Sequence, residues 1–146
     1  MSDVFEVKRH KIGETEYNHL ISLLAKKLEK RREIVFSYLH GSFLNRNNFG
    51  DIDIAVYVQG LPENKYLDYE FNLNGLLGKL TSLPVDVRVL NNSPYSFRYS
   101  VIKNGVKLVD KDEDMRVSFE TETFKIYFDF LPFRRRYLKE VLFHEI

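Results

Sequence analysis

Apolar residues at Tyr17, Leu20, Ile21, Leu24, Ala25 and Leu28 recur at the three-four spacing of one helical face, and Lys26, Lys27, Lys30 and Arg31 gather towards its end. Thr15 stands where an N-cap is expected. The period then changes. Ile34-Val-Phe-Ser-Tyr-Leu-His40 is rich in β-branched and aromatic residues and runs into Gly41-Ser42, so it reads as a buried strand ending in a turn. A second strand, Asp51 to Val58, follows a polar loop containing Asn45, Arg46, Asn47 and Asn48. Gly60-Leu-Pro62 separates it from a helix over about Asn64 to Leu80. A third strand, Val85 to Leu90, alternates Val85, Val87 and Val89 with Asp86 and Arg88, which puts acid and base on the face opposite the valines. Ser93-Pro94 resembles an N-cap followed by a first-turn proline, and Gly105 closes that short helix. Val106 to Asp110 reads as one more strand. From about Asp112 the chain looks helical to its end, and Pro132 should kink or interrupt that helix.

Strands alternating with helices predict an α/β (α+β) fold: a small mixed sheet with helices mainly on one side and the active site at the sheet edge. With 146 residues, 44% of them hydrophobic, one domain over residues 1–146 is expected. The terminal helix from about 112 carries Phe119, Phe124, Phe128, Phe130, Phe133, Tyr137 and Phe143, more large rings than one stripe accommodates. Either a small core is overpacked with aromatics, or a second face of this helix docks a partner subunit.

Charge and composition narrow the classes. Twenty-two basic residues against 21 acidic give the summed field no reason to seek nucleic acid or an anionic membrane. Nucleic acid is therefore not expected as a direct substrate. The absence of cysteine removes disulfide scaffolds, thiolate zinc sites and cysteine nucleophiles. Met1 to Glu14 is mixed polar and charged, and no apolar stretch approaches membrane-spanning length, so no membrane association and a cytoplasmic location are expected.

The chemistry concentrates in the stretch from Leu39 to Val56. Residues two apart on a strand project from one face, so Asp51 and Asp53 can share divalent cations while Ile52, Ile54 and Val56 face the core. Oxygen ligands suit magnesium, which keeps most of its waters and completes its shell with substrate phosphates. Gly41 lets the backbone approach a phosphate closely, and turn N–H groups with the Ser42 hydroxyl suit polyphosphate oxygens. An isolated Asp-x-Asp is usually a solvated strand edge and a lone Gly-Ser usually a turn. Their combination at the head of a strongly apolar strand, where unpaired charge is costly, favours the cation site.

Gly41-Ser42 followed by Asp51-Ile-Asp53 resembles the signature of the DNA polymerase β-like nucleotidyltransferases, in which a third acid comes from a later strand; Asp86 in Leu-Pro-Val-Asp-Val is the matching residue. Small size, together with Ile102-Lys-Asn-Gly105 and Tyr127-Phe-Asp-Phe, is similar to the minimal nucleotidyltransferase (MNT) antitoxins. The resemblance covers about Ile34 to Tyr137. It implies catalytic and metal-binding roles for Asp51, Asp53 and Asp86, nucleotide binding by Gly41 and Ser42, magnesium (two ions with ATP, manganese also suitable), and a hetero-oligomer with a HEPN-domain ribonuclease toxin that receives AMP from ATP on a tyrosine. The family often has a basic residue three positions after the motif serine. Here that position is Asn45, with Arg46 beside it as the candidate phosphate ligand, and Gly50 stands where serine often precedes the first acid. Rival readings are nucleotidyl transfer to a small molecule or an RNA end, and an antitoxin that inhibits by contact alone.

Other polar residues carry less. His40 is either a phosphate contact or an ordinary strand histidine, and His10, His19 and His144 show no ligand spacing. The run Arg134-Arg-Arg136 reads as a solvated face, a partner contact or a phosphate contact. A HEPN ribonuclease would need an arginine followed four to six residues later by histidine, a spacing this chain lacks.

Overall fold

A computed structural model describes residues 8–142, and at its centre is β1 (Ile34–His40), buried at every residue up to Leu39. Around it the sheet is ordered β3-β2-β1-β4, with β2 at Ile52–Val58, β3 at Val85–Val89 and β4 at Val106–Asp110. β1 runs antiparallel to both neighbours, whereas β2 and β3 are parallel, so the sheet is mixed. The helices are α1 (Glu14–Glu29), α2 (Tyr66–Thr81), α3 (Tyr95–Asn104) and α4 (Glu113–Leu142). Phe143 and His144, and the first half of the polar stretch Met1 to Glu14, lie outside the described residues.

The helices do not gather on one side of the sheet. On one face Leu20, Leu24 and Leu28 of α1 and Leu73 and Leu77 of α2 pack on Ile52, Ile54, Val56, Val87 and Val89. On the other, Val101 of α3 and Phe119 of α4 cover Phe36, Tyr38 and Ala55. The reason is β1 itself: a strand apolar on both pleats exposes one of them unless both are covered.

Local boundaries differ by one or two residues. Gly13, not Thr15, occupies the N-cap of α1, so Glu14 and Glu16 fall in the first turn, where the helix dipole favours acids. Pro94 is the extended N-cap of α3 rather than its first helical residue, because Ser93 is held in the preceding turn by its hydroxyl donating to the Leu90 carbonyl at 2.8 Å. Pro132 neither ends nor interrupts α4. Its missing N–H deprives the Phe128 carbonyl of the usual donor, and both residues are exposed or partly exposed, so water can take that bond.

Two devices fasten the sheet to its helices. The root of α4 is capped by the Asp112 carboxylate, which accepts the Met115 N–H at 3.0 Å. Arg116 then donates to Asp110 at 2.8 Å and to Glu120 at 3.0 Å, and Glu120 accepts the Tyr38 hydroxyl, so α4 is tied to β1 and β4. Burial and the Glu120 carboxylate push the Tyr38 phenol well above its ordinary range. The outer edge of β3 is closed from α2: Asn74 accepts the Val87 N–H at 2.6 Å and Glu70 accepts the Val89 N–H at 2.8 Å.

Candidate active site

The strand register lines up the residues that matter. His40 lies opposite Asp53, and Asp53 lies opposite Asp86, forming one row across β1, β2 and β3. Since Ile52 and Ile54 are buried towards α1 and α2, alternation turns Asp53 to the face covered by α3, and Asp86 and Arg88 follow opposite Val87 and Val89. Asp51 sits just before β2.

Gly41 makes the row possible. Its φ is 77°, in the left-handed region, and a Cβ there would overlap the Asp53 carboxylate. The turn over Gly41–Leu44 therefore passes directly against the middle carboxylate. Gly105 plays a parallel part at the end of α3. An added Cβ would overlap the Val101 carbonyl and stand 3.0 Å from the Leu39 carbonyl, so only glycine lets the chain turn so close to β1.

Electrostatics mark Asp53 as the strained member. Burial, then the negative charges of Asp86 and Asp51, push its carboxyl up to about 6, with Arg88 pulling the other way. Among the described residues no three acidic or histidine side chains are drawn into a ready ligating cluster. Asp86 is paired to Arg88 at 3.3 Å. Closeness enough for mutual repulsion, an all-oxygen donor set and a half-buried acid resisting ionisation are together the chemistry that a hard divalent cation satisfies.

Ser42 has a structural duty besides any substrate contact. Its Oγ accepts the Gly50 N–H at 3.1 Å, stapling the ends of the loop that carries Phe43 and Phe49 into the core, where their rings meet edge to face at 4.8 Å. The hydroxyl proton is still available to an acceptor, so one group can serve both loop and phosphate. Ser42→Ala should therefore cost about 1 kcal/mol of stability by urea unfolding as well as weaken nucleotide binding. Unchanged stability would show that the staple contributes nothing.

Arg46 is not brought to the carboxylates. Its charge lies beside Tyr17, where it opposes the upward shift that burial gives that phenol, and its carbonyl accepts the Ile12 N–H at 3.0 Å. The cation beside the acids is Arg88, which the alternation of β3 places on the face of Asp86. His40 is also in the row. Its ring meets Phe97 of α3 edge to face at 5.6 Å, burial holds its imidazole below the usual range, and its buried Nε2 has no partner among the described residues. No pattern in the sequence reveals that α3 lies over it.

A cleft of about 770 Å³ opens beyond Arg88, between the N-terminal end of α2 and the turn leading into α3. A second, of about 480 Å³, lies between α3 and α4, where Arg134 joins Tyr95, Tyr127 and Phe130. Arg135 and Arg136 are exposed. On α4, Phe119 is buried, whereas Phe128, Phe130, Phe133, Tyr137 and Val141 are at least half exposed, so the terminal helix does present the apolar face its composition predicts.

The sequence model of the family described as Polymerase beta, Nucleotidyltransferase matches residues 23–114, from within α1 to the start of α4. No protein of curated function matches the chain. Among solved structures, the tri-AMPylated HEPN toxin of Shewanella oneidensis in complex with MNT antitoxin aligns at 22% identity and a TM-score of 0.63, over 88% of this chain and 97% of the matched one. A toxin-antitoxin structure with AMP-PNP aligns at 20% identity and a TM-score of 0.65, over 90% and 99%. A further Shewanella oneidensis structure aligns at 22% and 0.67, over 86% and 98%. At these identities the likeness establishes the fold.

Proposed function

This chain belongs to the polymerase β nucleotidyltransferase family, and we propose that it is an antitoxin which transfers AMP from ATP to a tyrosine of a partner HEPN toxin. The observation that carries the reading is the row His40, Asp53, Asp86 with Gly41 pressed against its middle member, because it sets a phosphate-approaching turn beside two acids, with Asp51 just before them. Solved structures of the same fold, described as complexes with an AMPylated HEPN toxin and with an ATP analogue, support the choice of nucleotide and partner.

The Gly41–Ser42 turn receives the triphosphate through backbone N–H groups and the serine hydroxyl. Asp51, Asp53 and Asp86 would hold two magnesium ions, which would supply positive charge to offset the triphosphate and the departing pyrophosphate. Asp86 faces the acceptor and takes the phenolic proton. The phenolic oxygen bonds to the α-phosphorus, the bond from that phosphorus to the bridging oxygen breaks, and pyrophosphate leaves. The exposed aromatic face of α4 holds the toxin.

Incubating the chain with a partner HEPN toxin, magnesium and ATP should raise the toxin's intact mass by whole AMP units. EDTA should abolish the additions, and magnesium or manganese should restore them. Protection of cells with no AMP on the toxin would favour contact-only inhibition.

A further inference from the structure

From the cleft beyond Arg88 we infer an acceptor subsite: it seats the tyrosine-bearing segment of the partner, with the exposed pair Leu67 and Phe71 as its apolar approach. This inference rests on the proposed AMP transfer.

Order along the strands separates the two sides of the chemistry. Taking the row His40, Asp53, Asp86 as reference, Gly41, Ser42 and Asp51 lie one step towards the end of β1 and the start of β2. One step the other way is the row Tyr38, Ala55, Arg88. In-line displacement needs the attacking oxygen and the departing pyrophosphate on opposite sides of the phosphorus. With the triphosphate seated on the Gly41–Ser42 turn, the hydroxyl must arrive from the Arg88 side, and there the cleft opens.

Two side chains join the cleft to the carboxylates. Arg88 lines it while pairing with Asp86. Phe97 lines it while packing on His40. Between them they present a cation and an aromatic face to the incoming residue, which is the chemistry that suits a phenol: ring against ring, oxygen towards charge. At about 770 Å³ the cleft holds more than one side chain, so neighbouring residues of the acceptor segment enter with it.

The approach is apolar where solvent alone would not favour it. Leu67 is 79% exposed and lines the cleft; Phe71, one helical turn on, is 77% exposed. Both stand on α2, whose opposite side is pinned to the sheet by Leu73 and Leu77. The patch adjoins the cleft through Leu67 and lies on a different helix from the aromatic face of α4. The partner is thus held at two places, by α4 for affinity and by the α2 cleft for presentation of its tyrosine.

The test is steady-state AMP transfer to a partner HEPN toxin, varying acceptor and ATP separately. Leu67→Ser with Phe71→Ser should raise the acceptor KM about tenfold while the KM for ATP stays the same. Arg88→Ala should depress transfer, with partial recovery in Arg88→Lys. Leu67 and Phe71 are so exposed that the double variant should unfold at the unsubstituted protein's temperature. An unchanged acceptor KM in this folded variant overturns the subsite. A raised KM for ATP instead overturns it by assigning the cleft to the nucleotide. No transfer by the unsubstituted protein sinks the AMP-transfer reading and the subsite with it, whereas normal transfer insensitive to all these variants sinks only the subsite.

Discussion

Replacing Asp53 by asparagine should reduce AMP transfer by about a thousandfold or more and, in the same molecule, make the metal-free protein more stable at neutral pH. The first effect follows from removing the middle acid of the row, since neutralising charge at a transferring phosphoryl group accounts for much of the rate enhancement in such catalysis. The second follows from its environment. Burial, Asp86 and Asp51 raise the Asp53 carboxyl from 3.8 to about 6. A carboxyl raised on folding contributes stability that is present below its unfolded value and lost as pH rises through the folded one. Above about pH 6 the native state must therefore carry a disfavoured charge, which asparagine removes. With solvent screening taken into account, the gain should be on the order of 1 kcal/mol at pH 7.5 and should disappear near pH 4. Urea unfolding in EDTA at the two pH values reads it directly. A loss of stability at pH 7.5 would contradict the repulsion described for this row. The same proton competes with a cation, so magnesium should bind more tightly as pH rises through about 6.

Gly41→Ala should be nearly as damaging to activity, through geometry alone. The left-handed φ of 77° and the overlap of a Cβ with the Asp53 carboxylate act together. Displacing that carboxylate by about an ångström is enough for roughly a hundredfold loss of transfer. The stability cost should be about 1–3 kcal/mol. A double-mutant cycle separates the two causes: in an Asp53→Ala background the overlapping oxygen is gone, and Gly41→Ala should then cost measurably less than it does alone. Full additivity would mean that the turn and the carboxylate do not touch in solution.

Much of the fold and the site is legible in the residues alone. The unbroken apolar run of β1 and the alternation in β3 predict strands because strand side chains repeat every two residues, and the pairing of Asp86 with Arg88 follows from that same period. The Gly-Ser and Asp-x-Asp spacing points to the site because the chemistry constrains it locally. What stays hidden depends on contacts remote in sequence. The burial of His40 needs Phe97 above it, and the placement of Arg46 beside Tyr17 needs α1 against the loop. Likewise, β1 reads as buried, yet nothing in its own residues says which helices cover each pleat. Pro132 does not interrupt α4, and both it and Phe128, whose carbonyl it leaves without the usual helical donor, are exposed.

The closed edge of β3 bears on how the protein behaves when crowded. An open strand beside a reaction cleft is a template on which any extended peptide, or a second copy, can polymerise. Asn74 and Glu70 occupy the Val87 and Val89 amides that such a peptide would need. Growth of the sheet is thereby blocked along its β3 edge, the one that carries Asp86. Association along that edge is left to side-chain surfaces, whose contacts are selective and reversible.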